Sequence, residues 1–198
     1  MNKPIIAVDI DDTLVVHFQD LMTWYNNKYG TDLSLANNHP TSMDGWGTDD
    51  YEEAVRRVHR FFDTPQFKNA KPYAEAVRAL RQLSDHYDLV VLTSRDTLIE
   101  QLTRDWLNEH FEDVFKEAHF TAAFSLEGKS RSKADVCIEL GASYLIDDVL
   151  VATEEVAARG VKGILFGDYP WNQSIDLPSG VVRCTNWDKV LEYFDGQG

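Results

Sequence analysis

The stretch Pro4-Ile5-Ile6-Ala7-Val8-Asp9-Ile10-Asp11-Asp12-Thr13 decides the fold. Pro4 to Ile10 reads as a buried strand rich in Ile and Val. Three carboxylates, Asp9, Asp11 and Asp12, crowd its end. Such a cluster repels itself and needs a cation, protons or solvent to persist. A solvated acidic turn is the plain alternative for this segment taken alone.

Working outward, the same pattern returns. Residues 88–93 (Asp-Leu-Val-Val-Leu-Thr) read as a second buried strand, and Thr93-Ser94-Arg95 closes it with hydroxyls that can donate to a phosphate oxygen. Ser94 or Asp96 can equally cap the helix that follows. Weaker strands are expected at His119 to Ala122, Ser143 to Ile146 and Val161 to Phe166. Between them lie helical stretches at 72–84, 97–110, 132–140, 149–159 and 186–194. In the first, Ala74, Val77, Leu80 and Leu83 make one apolar stripe; in the second, Leu98, Leu102 and Trp106 do. Trp106 and Trp187 read as core. Strands alternating with helices argue for an α/β fold, a mostly parallel sheet covered on both faces.

One interval breaks the alternation. Residues 14–71 hold helical stretches near 18–29 and 49–63 and an Asn-, Pro-, Ser- and Gly-rich loop near 36–48, with no strong strand. An insert directly after the first strand stands at the carboxyl edge of the sheet, where open α/β sheets bind ligands.

Two more segments join the acidic one. Lys129-Ser130-Arg131-Ser132-Lys133 opens a helix, and Leu145-Ile146-Asp147-Asp148 ends an apolar run with a carboxylate pair. A helix N-terminus with fixed cations suits an anion. Lys129 reads as a solvated basic turn. Lys133 opposes the helix dipole in the first turn, so an external partner must favour it there. Hard divalent cations take carboxylate oxygens of the kind that Asp9 and the Asp147-Asp148 pair would present together.

Composition sets the outer limits. The 198 residues are 43% apolar and 26% charged, which fits one globular domain with a small insert. The net charge of −14 argues against nucleic-acid polymers and anionic membranes as partners. No apolar run is long enough to span a bilayer and no signal-peptide pattern opens the chain, so a cytoplasmic location is expected. Cys137 and Cys184 match no zinc spacing and read as two buried free thiols. An acidic chain still binds a phosphorylated substrate when a divalent cation sits between acids and phosphate.

Taken in order, the four segments resemble the haloacid dehalogenase superfamily of phosphohydrolases. Asp9-Ile10-Asp11-Asp12-Thr13 is similar to its Asp-x-Asp-x-Thr motif, Thr93 to its second-motif hydroxyl, Lys133 to its third-motif lysine, and Asp147-Asp148 to its fourth-motif acidic pair. Within that superfamily the chain looks most like the 5′(3′)-deoxyribonucleotidases, on the position of the insert, the Arg131-x-Lys133 spacing and the late Phe166-Gly167-Asp168-Tyr169-Pro170-Trp171-Asn172 segment. The resemblance implies a Rossmann-like three-layer core (1–13 and 72–198) and a small helical cap (14–71). It implies Asp9 as nucleophile, Asp11 as general acid and base, and Thr13, Thr93, Ser94, Arg131 and Lys133 around the phosphate. Mg²⁺ would be held by Asp9, the main chain of Asp11, and Asp147 and Asp148. The implied substrate is a nucleoside monophosphate or similar small phosphate ester, with cap aromatics (Phe18, Trp24, Tyr25 and Trp46 are candidates) on the base. His17 reads as a solvent-exposed cap residue, and the Tyr169 to Asn172 loop as either a pocket edge or a plain turn.

Three alternatives stand beside this. A phosphatase for another small ester, such as a sugar phosphate, shares the fold. A signalling receiver domain also gathers acids around Mg²⁺ but lacks the insert and the late acidic pair. A non-catalytic phospho-ligand-binding module would have lost a motif residue, and none is lost here. The oligomeric state, a homodimer included, is left open by the sequence.

Overall fold

The computed structural model describes residues 3–126, 130–173 and 176–196. Six parallel strands form one sheet in the order β3-β2-β1-β4-β5-β6. They are β1 (Ile5–Val8), β2 (Asp88–Thr93), β3 (Phe115–Phe120), β4 (Ala142–Asp147), β5 (Lys162–Phe166) and β6 (Val181–Cys184). The helices are α1 (Phe18–Tyr29), α2 (Tyr51–His59), α3 (Pro65–Lys68), α4 (Ala74–Leu83), α5 (Glu100–His110), α6 (Lys133–Leu140), α7 (Leu150–Ala157) and α8 (Trp187–Asp195). A 3₁₀ turn, Arg60–Asp63, follows α2.

The period of two along the strands builds the three layers. Ile6 and Val8 of β1 point to one face with Leu89, Val91, Ile146 and Ile164, and meet α4, α5 and α8 through Leu80, Trp106, Trp187 and Val190. Ala7 points the other way with Val90, Leu92 and Leu145, against Ala134 and Cys137 of α6 and Val156 of α7. A one-residue slip of β1 would exchange these two sets, so register is strongly specified. The register places Val8 beside Val91 on one side and Ile146 on the other. The carboxyl ends of β2, β1 and β4 therefore lie next to one another.

Two sequence stripes shift. On α4 the buried residues are Ala76, Ala79, Leu80 and Leu83, with Ala74 exposed and Val77 only partly covered. On α5 the core takes Thr103, Trp106 and Leu107, while Leu98, in a 3₁₀ turn ahead of the helix, is 69% exposed. A spacing of three or four fits two adjacent stripes equally, and the sheet chooses. Strand β6 was not expected; its four residues, Val-Val-Arg-Cys, carry too little pattern.

Residues of α1, α2, α3 and the turns between them bury a cluster of their own: Phe18, Leu21, Met22, Tyr25, Trp46, Val58, Phe61 and Phe67. The Tyr25 hydroxyl donates to the Trp46 carbonyl at 2.8 Å, which fixes both rings inside the insert. Asp12 starts α1: its carboxylate accepts from the backbone N–H of His17 (3.0 Å) and Phe18 (2.9 Å). No helix among the described residues is long and apolar enough to cross a membrane. Both cysteines are buried and free, as the sequence suggests, and burial raises both thiols, Cys137 to about 12 and Cys184 to about 11.

At Gly163 of β5 an added Cβ would lie 2.7 Å from the Thr153 carbonyl oxygen of α7. Backbone meets backbone there. Gly163→Ala is expected to cost about 1–3 kcal/mol by over-packing, read as a lower urea midpoint at unchanged slope. An unchanged midpoint would mean that α7 moves aside freely.

Candidate active site

Asp9 leaves β1 with its N–H bonded to the Ile146 carbonyl at 2.9 Å, which seats it against the end of β4. Asp9, Asp147 and Asp148 are all buried, and one carboxylate oxygen from each lies within 4.8 Å of the others. Lys133, first residue of α6, reaches into this group. Its Nζ lies 2.8 Å from Asp9 Oδ1 and donates to Asp147 Oδ2 at 2.6 Å. Ser132 caps that helix through the Asp135 N–H.

The charges do not balance. Three buried carboxylates face one ammonium. Burial would discharge Lys133, but Asp147 and Asp9 outweigh it and hold the ammonium well above its ordinary range. Asp9 responds the other way. Burial pushes its carboxyl up, Lys133 pulls it down, Asp147 and Asp11 add to the rise, and it stands at about 7. Asp148 is raised by burial and then by Asp147 and Asp9. An all-oxygen set with surplus negative charge is what a hard divalent cation requires, so the residues present fit Mg²⁺. Asp147 has both oxygens engaged, by Lys133 and by the Val149 N–H at 2.9 Å.

Asp11 is turned away from this trio. Arg95 grips both of its oxygens, with Nε at 3.2 and 3.1 Å and Nη2 at 2.8 Å. His17 Nδ1 lies 3.3 Å from Oδ1. Burial would raise the Asp11 carboxyl, yet Arg95 and then His17 bring it down to about 2. His17 is thus turned inward, contrary to the exposed position expected from sequence.

Other expected residues divide. Ser94 lines a cavity of about 350 Å³ together with Asp9, Asp11, Lys133 and Asp148. Thr93 is fully buried and its Oγ1 accepts the Arg95 N–H at 3.2 Å. Thr13 is buried as well, with an Oγ1 that makes no hydrogen bond. Neither threonine lines the cavity. Arg131 is paired with Glu139 at 2.5 Å and is not among the lining residues. Lys129 lies outside the described residues. Of the aromatic candidates only Phe18 faces the cavity; Tyr25 and Trp46 are interior to the insert, and Trp24 packs on Tyr29 and Phe61.

Sequence reasoning missed Phe62, His59, Tyr51 and Phe124 on the cavity wall. It also missed how Asp148 is held. Trp171 Nε1 donates to Asp148 Oδ2 at 2.8 Å, and Asn172 Nδ2 donates to its carbonyl at 3.0 Å. Tyr169 stacks on Trp171, with 4.5 Å between ring centroids, and its hydroxyl donates to the Asp12 carbonyl at 2.6 Å. The late aromatic segment therefore braces the acidic loop. The one available signal was an aromatic-rich turn just past a strand.

The fold is the one found in solved structures described as haloacid dehalogenase-like hydrolases. A protein described as a predicted phosphatase from Clostridium acetobutylicum superposes with a TM-score of 0.71 at 18% identity, over 99% of this chain and 100% of that one. The haloacid dehalogenase-like hydrolase from Streptococcus pneumoniae gives 0.66 at 16% identity, over 97% and 98%. The family model described as 5′ nucleotidase, deoxy (pyrimidine), cytosolic type C protein matches residues 3–194, and the chain belongs to that family. A curated relative, the 5′(3′)-deoxyribonucleotidase of Clostridium acetobutylicum, is 24% identical over 116 residues. That match covers 56% of this chain and 61% of the relative.

A raised carboxylate is stabilising while protonated. Its contribution is full below its ordinary value of 3.8 and is lost as pH rises through about 7. Without metal, the Asp9 group should therefore lower the melting temperature between pH 5 and pH 8. Mg²⁺ should raise it at pH 8 by several degrees, about 2–4 °C for each kcal/mol at this size, and hardly at pH 5.5. Thermal scans with Mg²⁺ and with EDTA check this; an equal Mg²⁺ effect at both pH values would refute it.

Proposed function

We propose that the protein is a Mg²⁺-dependent phosphomonoester hydrolase of the 5′(3′)-deoxyribonucleotidase type, acting through a phosphorylated Asp9. The observation that carries this is the meeting of Asp9, Lys133, Asp147 and Asp148, of which Asp9, Lys133 and Asp148 line a substrate-sized cavity, in a chain of a nucleotidase family. Asp9 would attack phosphorus as its carboxylate, the oxygen of the leaving alcohol departing with the bonding pair. Asp11, freed from Arg95 and protonated from solvent, would give that proton to the oxygen and later take one from the water that hydrolyses the aspartyl phosphate. Lys133, with the Ser94 hydroxyl, would hold the transferring phosphoryl, where positioning and charge do most of the work. Asp9, Asp147 and Asp148, with the Asp11 main chain, would hold Mg²⁺, which supplies charge neutralisation when bound.

The rest of the cavity suits an organic leaving group. Phe18, Leu21, Val58 and Phe62 come from the helical insert, Phe124 from the loop after β3. An apolar wall above a charged floor fits a nucleobase held away from its phosphate. On this reading residues 14–71 act as the cap over a core of 1–13 and 72–198, and the enzyme works in the cytoplasm on small substrates. A sugar phosphatase remains the second reading, favoured only by the polar atoms of His59 and Asp96 on the same wall.

Phosphate release from nucleoside 5′- and 3′-monophosphates and sugar phosphates, with Mg²⁺ and with EDTA, tests the proposal. Metal-dependent turnover led by deoxyribonucleotides is expected; a preference for sugar phosphates would overturn the substrate class. Asp9→Asn should abolish turnover and leave the fold intact, since it removes one of three crowded charges. Lys133→Ala should lower kcat/KM by about 100- to 1,000-fold, as loss of a charge-stabilising donor does. Phe62→Ala should raise KM for nucleotides about tenfold, the value of one stacking contact, with little change in kcat. Steady-state kinetics of the three variants read each outcome.

A further inference from the structure

We propose that Trp171 is a positioning residue for the divalent-cation site: its indole N–H aims the Asp148 carboxylate and so sets how tightly the protein holds the cation. This rests on the reading in which Asp148 helps to hold Mg²⁺, and it adds a residue outside the motifs that carry that reading.

The three grouped acids are not held alike. Lys133 pairs with Asp9 and Asp147. Asp148 takes a neutral donor instead, Trp171 Nε1 at 2.8 Å from Oδ2. An indole N–H donates and never accepts. It gives Oδ2 one direction, and the planar carboxylate then has little freedom left. A cationic donor would aim the carboxylate as well but would cancel charge that a divalent cation needs; the indole leaves that charge in place.

The donor is itself fixed. Trp171 lies in the turn after β5, where Tyr169 stacks on its ring with 4.5 Å between centroids. Phe18 of α1 meets the same ring edge-on at 5.4 Å. Asn172, next in the chain, is fully buried and uses its whole amide. Nδ2 donates to the Asp148 carbonyl at 3.0 Å and to the Phe166 carbonyl at 2.9 Å. Oδ1 accepts from the Tyr169 N–H at 3.1 Å and from Arg183 Nη1 at 3.0 Å. The main chain of Asp148 is thus tied to residue 172 and its side chain to residue 171, so carboxylate and indole keep one relative position. A ligand ordered in advance loses less entropy when the cation arrives. Partners behind a metal ligand are commonly worth about 10- to 100-fold in affinity.

The test is Mn²⁺ binding to the substrate-free protein at pH 8, read from the electron paramagnetic resonance signal of the free ion. Trp171→Phe keeps a ring between Tyr169 and Phe18 and loses the N–H. It should raise the Mn²⁺ Kd by about 10- to 100-fold. The Mg²⁺ concentration that half-activates turnover should rise by the same factor, and by more than kcat falls. Gly163→Ala, a packing change elsewhere in the sheet, should leave the Mn²⁺ Kd unchanged. An unchanged Kd in Trp171→Phe, or equal weakening by Gly163→Ala, would overturn the proposal. If Trp171→Phe folds poorly, ¹⁵N-labelled tryptophan in the unsubstituted protein serves. The indole N–H signal in contact with the Tyr169 ring should then shift on adding Mg²⁺, and a signal that stays in place would overturn the proposal equally. Asp148→Asn separates the two levels. If it weakens Mn²⁺ binding and Trp171→Phe does not, this inference alone falls. If Asp148→Asn leaves Mn²⁺ binding unchanged, the assignment of Asp148 to the cation falls with it.

Discussion

The contact on which the site depends is a single ammonium among buried carboxylates. Lys133 sits 2.8 Å from Asp9 and 2.6 Å from Asp147, with Asp148 close by. In a low-dielectric interior each unpaired charge costs several kcal/mol, and one cation cannot settle three anions. Asp9 and Asp148 answer by holding protons more tightly. A well-balanced core would have used fewer acids. Retaining all three keeps a surplus of negative charge at the carboxyl edge of the sheet, which a bound cation would convert into affinity.

Three carboxylates within four residues follow β1, and their surroundings give them different work. Asp9 meets Lys133 and its charge is disputed. Asp11 meets Arg95 and stays ionised. Asp12 accepts two backbone N–H groups and begins α1. It adopts φ +56°, a left-handed conformation that aspartate tolerates better than most residues, so the chain can turn sharply there. Distant parts of the chain then lock the turn. Trp187 donates to the Thr13 carbonyl, Tyr169 to that of Asp12, and the Tyr73 N–H to that of Leu14. A loop fixed by such distant partners can hold Asp9 in place without being a regular element itself.

Much of this was legible in one dimension. Apolar runs located β1, β2, β4 and β5, and the acids at their ends marked Asp9, Asp147 and Asp148 before any pairing was known. Lys133 was legible because a lysine in a helix's first turn is locally unfavourable. The missing parts share a cause. Arg95 sits next to Ser94, yet its partners Asp11, Phe67 and Thr103 lie elsewhere along the chain, and local sequence carries no trace of them. The same holds for Trp171 on Asp148 and for Phe62 on the cavity wall. Tyr25 and Trp46 misled for the complementary reason. An insert of this size must bury a core of its own, and its largest rings were spent there rather than on a ligand.

The boundary between insert and core completes the argument. It is sparse in aliphatic packing. Phe67 lies against the Arg95 guanidinium, Phe18 edges onto Trp171 at 5.4 Å, and Ile99 is the one core side chain among the buried residues of the insert's cluster. His59 Nε2 and Asp96 Oδ2 face each other across the boundary at 4.0 Å, too far for a hydrogen bond, and neither has another partner. Such a boundary parts at lower cost than a continuous apolar core, because few buried apolar contacts are lost. The core supplies the charged floor, and the insert supplies most of the apolar wall. The charged floor and most of the apolar wall are thereby carried by separately packed clusters that meet at Arg95, Ile99 and Trp171.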